Sequence, residues 1–102
     1  VREQLPSRRA AETFVIDHRG LAFSITLGRF EDGRAAEIFV DGLKSGADVR
    51  ESVRDAAVLA SLALQHGCSL ETISHAVARD GTGRPLSIVG AVLDAVNDWS
   101  GQ

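Results

Sequence analysis

Residues 21–27, LAFSITL, alternate without a break: Leu21, Phe23, Ile25 and Leu27 share one side of an extended chain, and Ala22, Ser24 and Thr26 the other. A strict period of two is the pattern of a strand with one face buried and the other polar. Turn signals bracket it. Upstream, TFVIDH puts Phe14 and Ile16 on one side and ends in Asp17-His18-Arg19-Gly20, a short hairpin connection. Downstream, FEDGR carries Asp32-Gly33, a pair that tolerates the positive φ of a tight hairpin. AAEIFVD then alternates Ala36, Ile38 and Val40 against Ala35, Glu37 and Phe39. Residues 13–41 therefore predict a three-stranded antiparallel meander.

From about Asp48 the period becomes helical. Asp48 is expected to cap this helix, with Glu51 completing a box-like start. Val49, Val53, Ala56, Ala57, Ala60 and Leu64 form an apolar stripe that Leu59, Leu62 and Ala63 widen, which predicts a helix packed closely on two sides. Gly67 ends it as a C′ residue, and Ser69 caps a shorter helix with Leu70, Ile73, Ala76 and Val77 on one face. After the breaker-rich RDGTGRP, residues 79–85, a last helix is expected from about Leu86 to Trp99. The expected architecture is α+β: the meander followed by three helices packed on one sheet face. Residues 1–10 read as an N-terminal arm and 11–102 as a single domain.

A chain of 102 residues is one domain and buries about two-thirds of its unfolded surface. With 44% apolar and 25% charged residues it has a globular composition. Four phenylalanines and one tryptophan make a thin core, so a homodimer that buries the alanine-rich helix or pairs sheet edges is expected. A net charge of −3 argues against a general nucleic-acid binder, which needs a basic surplus to displace counterions. The local exception is the arm, where Arg2, Arg8 and Arg9 face only Glu3; it reads as a solvated tail before it reads as a docking arm. The lone Cys68 excludes an intrachain disulfide and a thiol-rich zinc site, which fits a reducing cytoplasm. No apolar run approaches the roughly 18 residues that span a bilayer, and no charged-then-apolar signal segment opens the chain. There is no methionine at all, which predicts a start trimmed or excised from something longer.

Hydrolase machinery is not apparent: no serine sits in a G-x-S-x-G elbow. His66 and Cys68 flank Gly67 at a helix end, a spacing from which the two do not easily reach one metal. No catalytic residue and no metal ligand is assigned, and Glu12, Asp17, Glu31, Asp32 and Glu37 read as solvated carboxylates. DGLKSGAD, residues 41–48, is the one stretch with ligand-binding geometry. Gly42 and Gly46 bracket the only lysine, Lys44, ahead of a helix whose first N–H groups are free. It is not a P-loop. The candidate anion- or partner-binding set is Lys44 and Gly46 with Arg29 and Arg34, and Arg8 and Arg9 on the arm.

REQLPSRR at 2–9, EDGRAAEIFVDGLKSGAD at 31–48 and LASLALQHGCSLETI at 59–73 occur in one order. Together they resemble the TSCPD-type C-terminal accessory domain of adenosylcobalamin-dependent (class II) ribonucleotide reductases, as a small stand-alone protein. Arg34, Glu37, Lys44, Gly46 and Gln65 match positions of that pattern. The Thr-Ser-Cys-Pro-Asp motif that names the domain is missing, and Cys68 stands where the pattern usually has valine. The resemblance implies a non-catalytic accessory or interaction role linked to deoxyribonucleotide synthesis, with a reductase or other protein as partner. Adenosylcobalamin and the radical chemistry would belong to a much larger catalytic domain and not to this chain. The alternative is a nucleotide, phosphate or single-stranded nucleic-acid binding module built on the Lys44 loop and nearby arginines.

Overall fold

The computed structural model describes residues 1–5, 11–42 and 46–100. Three strands, β1 (Ala11–His18), β2 (Leu21–Arg29) and β3 (Ala35–Asp41), are followed by three helices, α1 (Ala47–Gln65), α2 (Leu70–Ala76) and α3 (Ile88–Ser100). The sheet is antiparallel in the order β1-β2-β3. This is the α+β meander and helix layer that the alternation predicts. The first turn places Arg19 at φ 53° and Gly20 at φ 83°, the two left-handed residues that a tight two-residue hairpin needs.

The register makes the two faces unequal. Phe14 opposes Ile25, Ile16 opposes Phe23, Ile25 opposes Val40 and Leu27 opposes Ile38, so all of these point to one side. There Phe23, Ile25 and Leu27 are wholly buried against Val53, Ala57, Ala60 and Leu64 of α1, Leu70 of α2, and Val92, Leu93 and Val96 of α3. The other face carries Thr13, Val15, Thr26 and Phe39, and Phe39 and Val15 are 56% and 62% exposed.

On that open face the ladder tightens at Gly28, opposite Glu37. A Cβ at Gly28 would lie 2.6 Å from Glu37 Cγ, so the buried Glu37 side chain occupies the space that the glycine leaves open. Glu37 is thus not the solvated carboxylate the sequence suggests. Gly28→Ala is expected to displace Glu37 and cost about 1–3 kcal/mol, as overpacking does, read as a lowered midpoint of urea unfolding.

Helix starts differ from expectation in two places. The N-cap of α1 is Gly46, with no side-chain capping bond, and Asp48 lies in the first turn. It favours the helix through the dipole, not by capping. Ser69 does cap α2, its Oγ accepting from the Thr72 N–H at 3.1 Å. Gly67, at φ 97°, ends α1 as predicted. α3 begins two residues later than predicted, at Ile88, with Ser87 Oγ accepting from the Gly90 N–H.

The loop before α3 is itself a small hairpin. Arg79 bridges to Pro85, and Asp80 Oδ1 accepts from the Thr82 N–H, the Thr82 hydroxyl and the Arg84 N–H. Arg79 ties it down with a two-pronged pair to Asp94 of α3, at 2.9 and 2.6 Å, and donates to the Ser74 and Gly83 carbonyls. The Thr82 hydroxyl and the backbone N–H groups of Thr82 and Arg84 hold the Asp80 carboxyl below its ordinary value; Arg79 does the same for Asp94. A depressed folded-state value contributes stability that is present above the unfolded value and lost as pH falls through the folded one. The Thr82 and Arg84 amide resonances are therefore expected to titrate with a midpoint below the ordinary aspartate value of about 3.9, and Asp80→Ala to abolish that titration.

Candidate functional site

α1 lies along the outer edge of β3, running antiparallel to it. Ser61 Oγ accepts from the Ile38 N–H at 2.8 Å and lies 3.2 Å from the Ile38 carbonyl; one turn on, Gln65 Nε2 donates to the Ala36 carbonyl at 3.0 Å. Two polar side chains four residues apart thus close a strand edge that would otherwise expose its backbone.

The same glutamine holds the start of the chain. Its Oε1 accepts from Arg2 Nε, and its main-chain carbonyl accepts from the Glu3 N–H at 2.6 Å. Glu3 Oε1 then accepts from Arg34 at 2.8 Å, and Arg34 Nε donates to Asp32 at 2.7 Å while its guanidinium lies 4.6 Å from the Phe30 ring centre. Arg2 and Glu3 are docked, not the solvated tail that the sequence suggests. The Arg34 N–H is the first cause, and the Arg34 guanidinium the second, of an Asp32 carboxyl held below its ordinary value.

A groove of about 310 Å³ opens beside this corner, walled by Phe30, Arg34, Leu64, Cys68, Ser69 and Leu70 among others. Cys68, half-buried, forms part of its wall. On the far side of the β2–β3 turn, Arg29 donates to Glu12 at 2.7 Å and to the Gly33 carbonyl at 2.9 Å. Glu12 also accepts from the Trp99 indole, whose ring stacks on Phe14 at 4.7 Å. The Arg29 bond first and the Trp99 bond second hold the Glu12 carboxyl below its ordinary value.

The predicted site residues therefore separate. Arg29 and Arg34 flank the β2–β3 turn, each engaged by a carboxylate, whereas Gly46 lies beyond the opposite end of β3, about 20 Å away by strand rise. Lys44, Arg8 and Arg9 lie outside the described residues. At the Gly46 end the structure brings up residues the sequence did not single out. Arg50 and Arg54 of α1 line an open cleft of about 560 Å³ with Ser24, Thr26, Phe39 and Val58. Their spacing of one helical turn was the available signal.

Val58, Leu59 and Leu62, 67% exposed at Leu59, lie on the outer side of α1 and not in its core contact. The expectation that Leu59 and Leu62 widen a doubly packed stripe is corrected accordingly. The helix side that meets the sheet includes Ser61 and Gln65 instead. Among the described residues no helix is long and apolar enough to cross a membrane.

REQLPSRR, EDGRAAEIFVDGLKSGAD and LASLALQHGCSLETI thus meet in space through Arg2, Glu3, Asp32, Arg34, Ser61 and Gln65. Sequence comparison finds relatives for part of this chain. A vitamin B12-dependent ribonucleotide reductase of Agrobacterium fabrum is 41% identical over 70 residues, 69% of this chain and 6% of its own length. The chain is homologous to a segment of the vitamin B12-dependent ribonucleotide reductases. The reductase of Bradyrhizobium diazoefficiens is 37% identical over 70 residues, again 6% of its length. That of Rhodopirellula baltica is 25% identical over 107 residues, covering 98% of this chain and 10% of the relative. No family model and no solved structure matches. This reductase-related chain spans only 6–10% of the length of the curated relatives it matches.

Proposed function

We propose that the chain is a non-catalytic accessory domain of a vitamin B12-dependent ribonucleotide reductase system, working by contact with the catalytic polypeptide. The observation that carries this reading is the 6% coverage of the Agrobacterium fabrum relative. By this reading the cobalamin and the radical chemistry belong to the larger polypeptide, and the chain serves deoxyribonucleotide synthesis as a TSCPD-type domain in the cytoplasm. The surface suited to contact is the open sheet face with Phe39, continued by Val58 on α1 across the same cleft.

The test is capture of the reductase of the same cell by immobilised chain at micromolar concentration. Retention by the wild type and its loss in Phe39→Asp are expected. No retention at tens of micromolar, or ribonucleotide reduction by the chain alone, would overturn the reading.

A second reading, anion binding, is favoured by Arg50 and Arg54, which have no ion-pair partner among the described residues and share the cleft with Phe39. It replaces Arg29 and Arg34, each already engaged by a carboxylate, with a guanidinium pair in the first turns of α1. Calorimetric titration with nucleoside triphosphates should then give heat that Arg50→Ala/Arg54→Ala abolishes; no heat from the wild type would dismiss it.

A further inference from the structure

The two edges of the sheet are treated differently. That of β3 is closed by Ser61 and Gln65, whereas β1 has no strand beyond it among the described residues. Which groups β1 offers follows from the ladder. Ile38 turns its N–H and carbonyl outward to Ser61, so its partner Leu27 turns its own toward β1, where Glu12 receives them. Alternation then points the N–H and carbonyl of Thr13, Val15 and Asp17 out from the free edge.

β1 lacks most of the devices that blunt an edge, its charges being Glu12, already engaged by Arg29 and Trp99, and Asp17 near its end. It pairs with β2 without a bulge over Ala11–His18, and it contains neither proline nor lysine. It is also a chemical palindrome about Val15. Turned end for end on itself, ETFVIDH sets Val15 against Val15, Phe14 against Ile16, the Thr13 hydroxyl against the Asp17 carboxylate, and Glu12 against His18. Centring on Phe14 would place Glu12 against Ile16, and centring on Ile16 would place Phe14 against His18. Only the Val15 centre matches every pair while keeping both helix layers on one side. A two-fold contact needs such self-complementarity. Trp99, stacked on Phe14 on the helix side of the same strand and 39% exposed, is placed to gain cover from a neighbour.

We infer that β1 is a homodimerisation edge: two copies pair their β1 strands antiparallel about Val15, joining two three-stranded sheets into a continuous six-stranded one. Backbone bonds run between Thr13 and the partner subunit's Asp17 and reciprocally across Val15. The open face, with Phe39, is doubled and not covered. The inference stands apart from the proposed reductase contact, because it concerns the purified chain alone.

Two measurements test it. Sedimentation equilibrium of the wild-type chain should give twice the 10.8 kDa chain mass, and Val15→Lys should return it to monomer by setting like charges directly opposite each other. Val15 is solvent-facing, so this variant should keep the wild-type circular dichroism spectrum. In a Cys68→Ser background, mild oxidation should convert Val15→Cys to a covalent dimer, since hydrogen-bonded partners have Cα atoms about 5.5 Å apart, within disulfide reach. Thr13→Cys should stay uncrosslinked, its two copies lying about 14 Å apart in this register, and should crosslink only when mixed with Asp17→Cys. A wild-type monomer at about 100 micromolar, within the micromolar-to-millimolar range in which unpaired strand edges associate, overturns the inference. So does a dimer in which Val15→Cys crosslinks no better than Thr13→Cys.

Discussion

Removing both polar groups that α1 offers to the edge of β3, in Ser61→Ala/Gln65→Leu, is expected to destabilise the domain by about 3–5 kcal/mol. Each buried backbone group left without a partner costs about 1–3 kcal/mol, and the double variant strands the Ile38 N–H and the Ala36 carbonyl together. It also releases Arg2 from Gln65 Oε1. For a domain of this size that loss lowers the melting temperature by about 15–25 °C. Gln65→Glu is the control. It keeps an acceptor for Arg2 and loses the donor to Ala36, so its melting temperature should fall between wild type and the double variant. A loss under about 1 kcal/mol in the double variant would mean that water replaces both side chains at the edge, and that α1 is held by its apolar stripe alone.

That corner also marks where sequence reading stops. The strands were legible because period-two alternation is local, and LAFSITL contains its own evidence. The hairpin turns at Asp17-His18-Arg19-Gly20 and Asp32-Gly33 were legible for the same reason, whereas the register came only with the structure. Ser61 and Gln65 were not legible as edge-closing residues, since their partners are 23 and 29 positions away. A helix stripe as broad as that of α1 accepts either Leu59 and Leu62 or Ser61 and Gln65 on its inner side. Hydrophobicity alone favours the leucines, yet the unpaired edge of β3 demands hydrogen bonds, and that demand decides the rotation of the helix.

The same reasoning explains why the arginine set came apart. Arg29 and Arg34 look available beside glycines in the sequence, and Glu12, Glu3 and Asp32 look solvated. Folding brings each carboxylate to a guanidinium, and for Glu12 and Glu3 the partner is 17 and 31 positions away. The blocks that carry the resemblance are to this extent a record of how the unit holds itself together. A functional reading therefore gains more from residues left over after that accounting. Phe39, Arg50 and Arg54 are such residues, and they share one cleft.

Phe23 and Phe39 offer the sharpest separation of fold from function. Phe23 is on the helix-covered face and wholly buried opposite Ile16; Phe39 is on the open face opposite Thr26. Phe23→Ala removes a ring from the centre of the middle strand and leaves a cavity that Ile16, Ile25 and the α3 valines can fill only in part. It should cost about 3–5 kcal/mol, a large part of the 5–15 kcal/mol that typically holds a domain together. Urea unfolding followed by Trp99 fluorescence measures it, because the only tryptophan stacks on Phe14 of the neighbouring strand. Phe39→Asp should change stability by only about 0.5 kcal/mol, as exposed substitutions usually do, while abolishing capture of the reductase. If Phe39→Asp instead unfolds the chain, the open face belongs to the fold and not to a partner. If it leaves both stability and capture intact, the contact lies elsewhere, and the outer side of α1 at Leu59 and Leu62 becomes the surface to alter next.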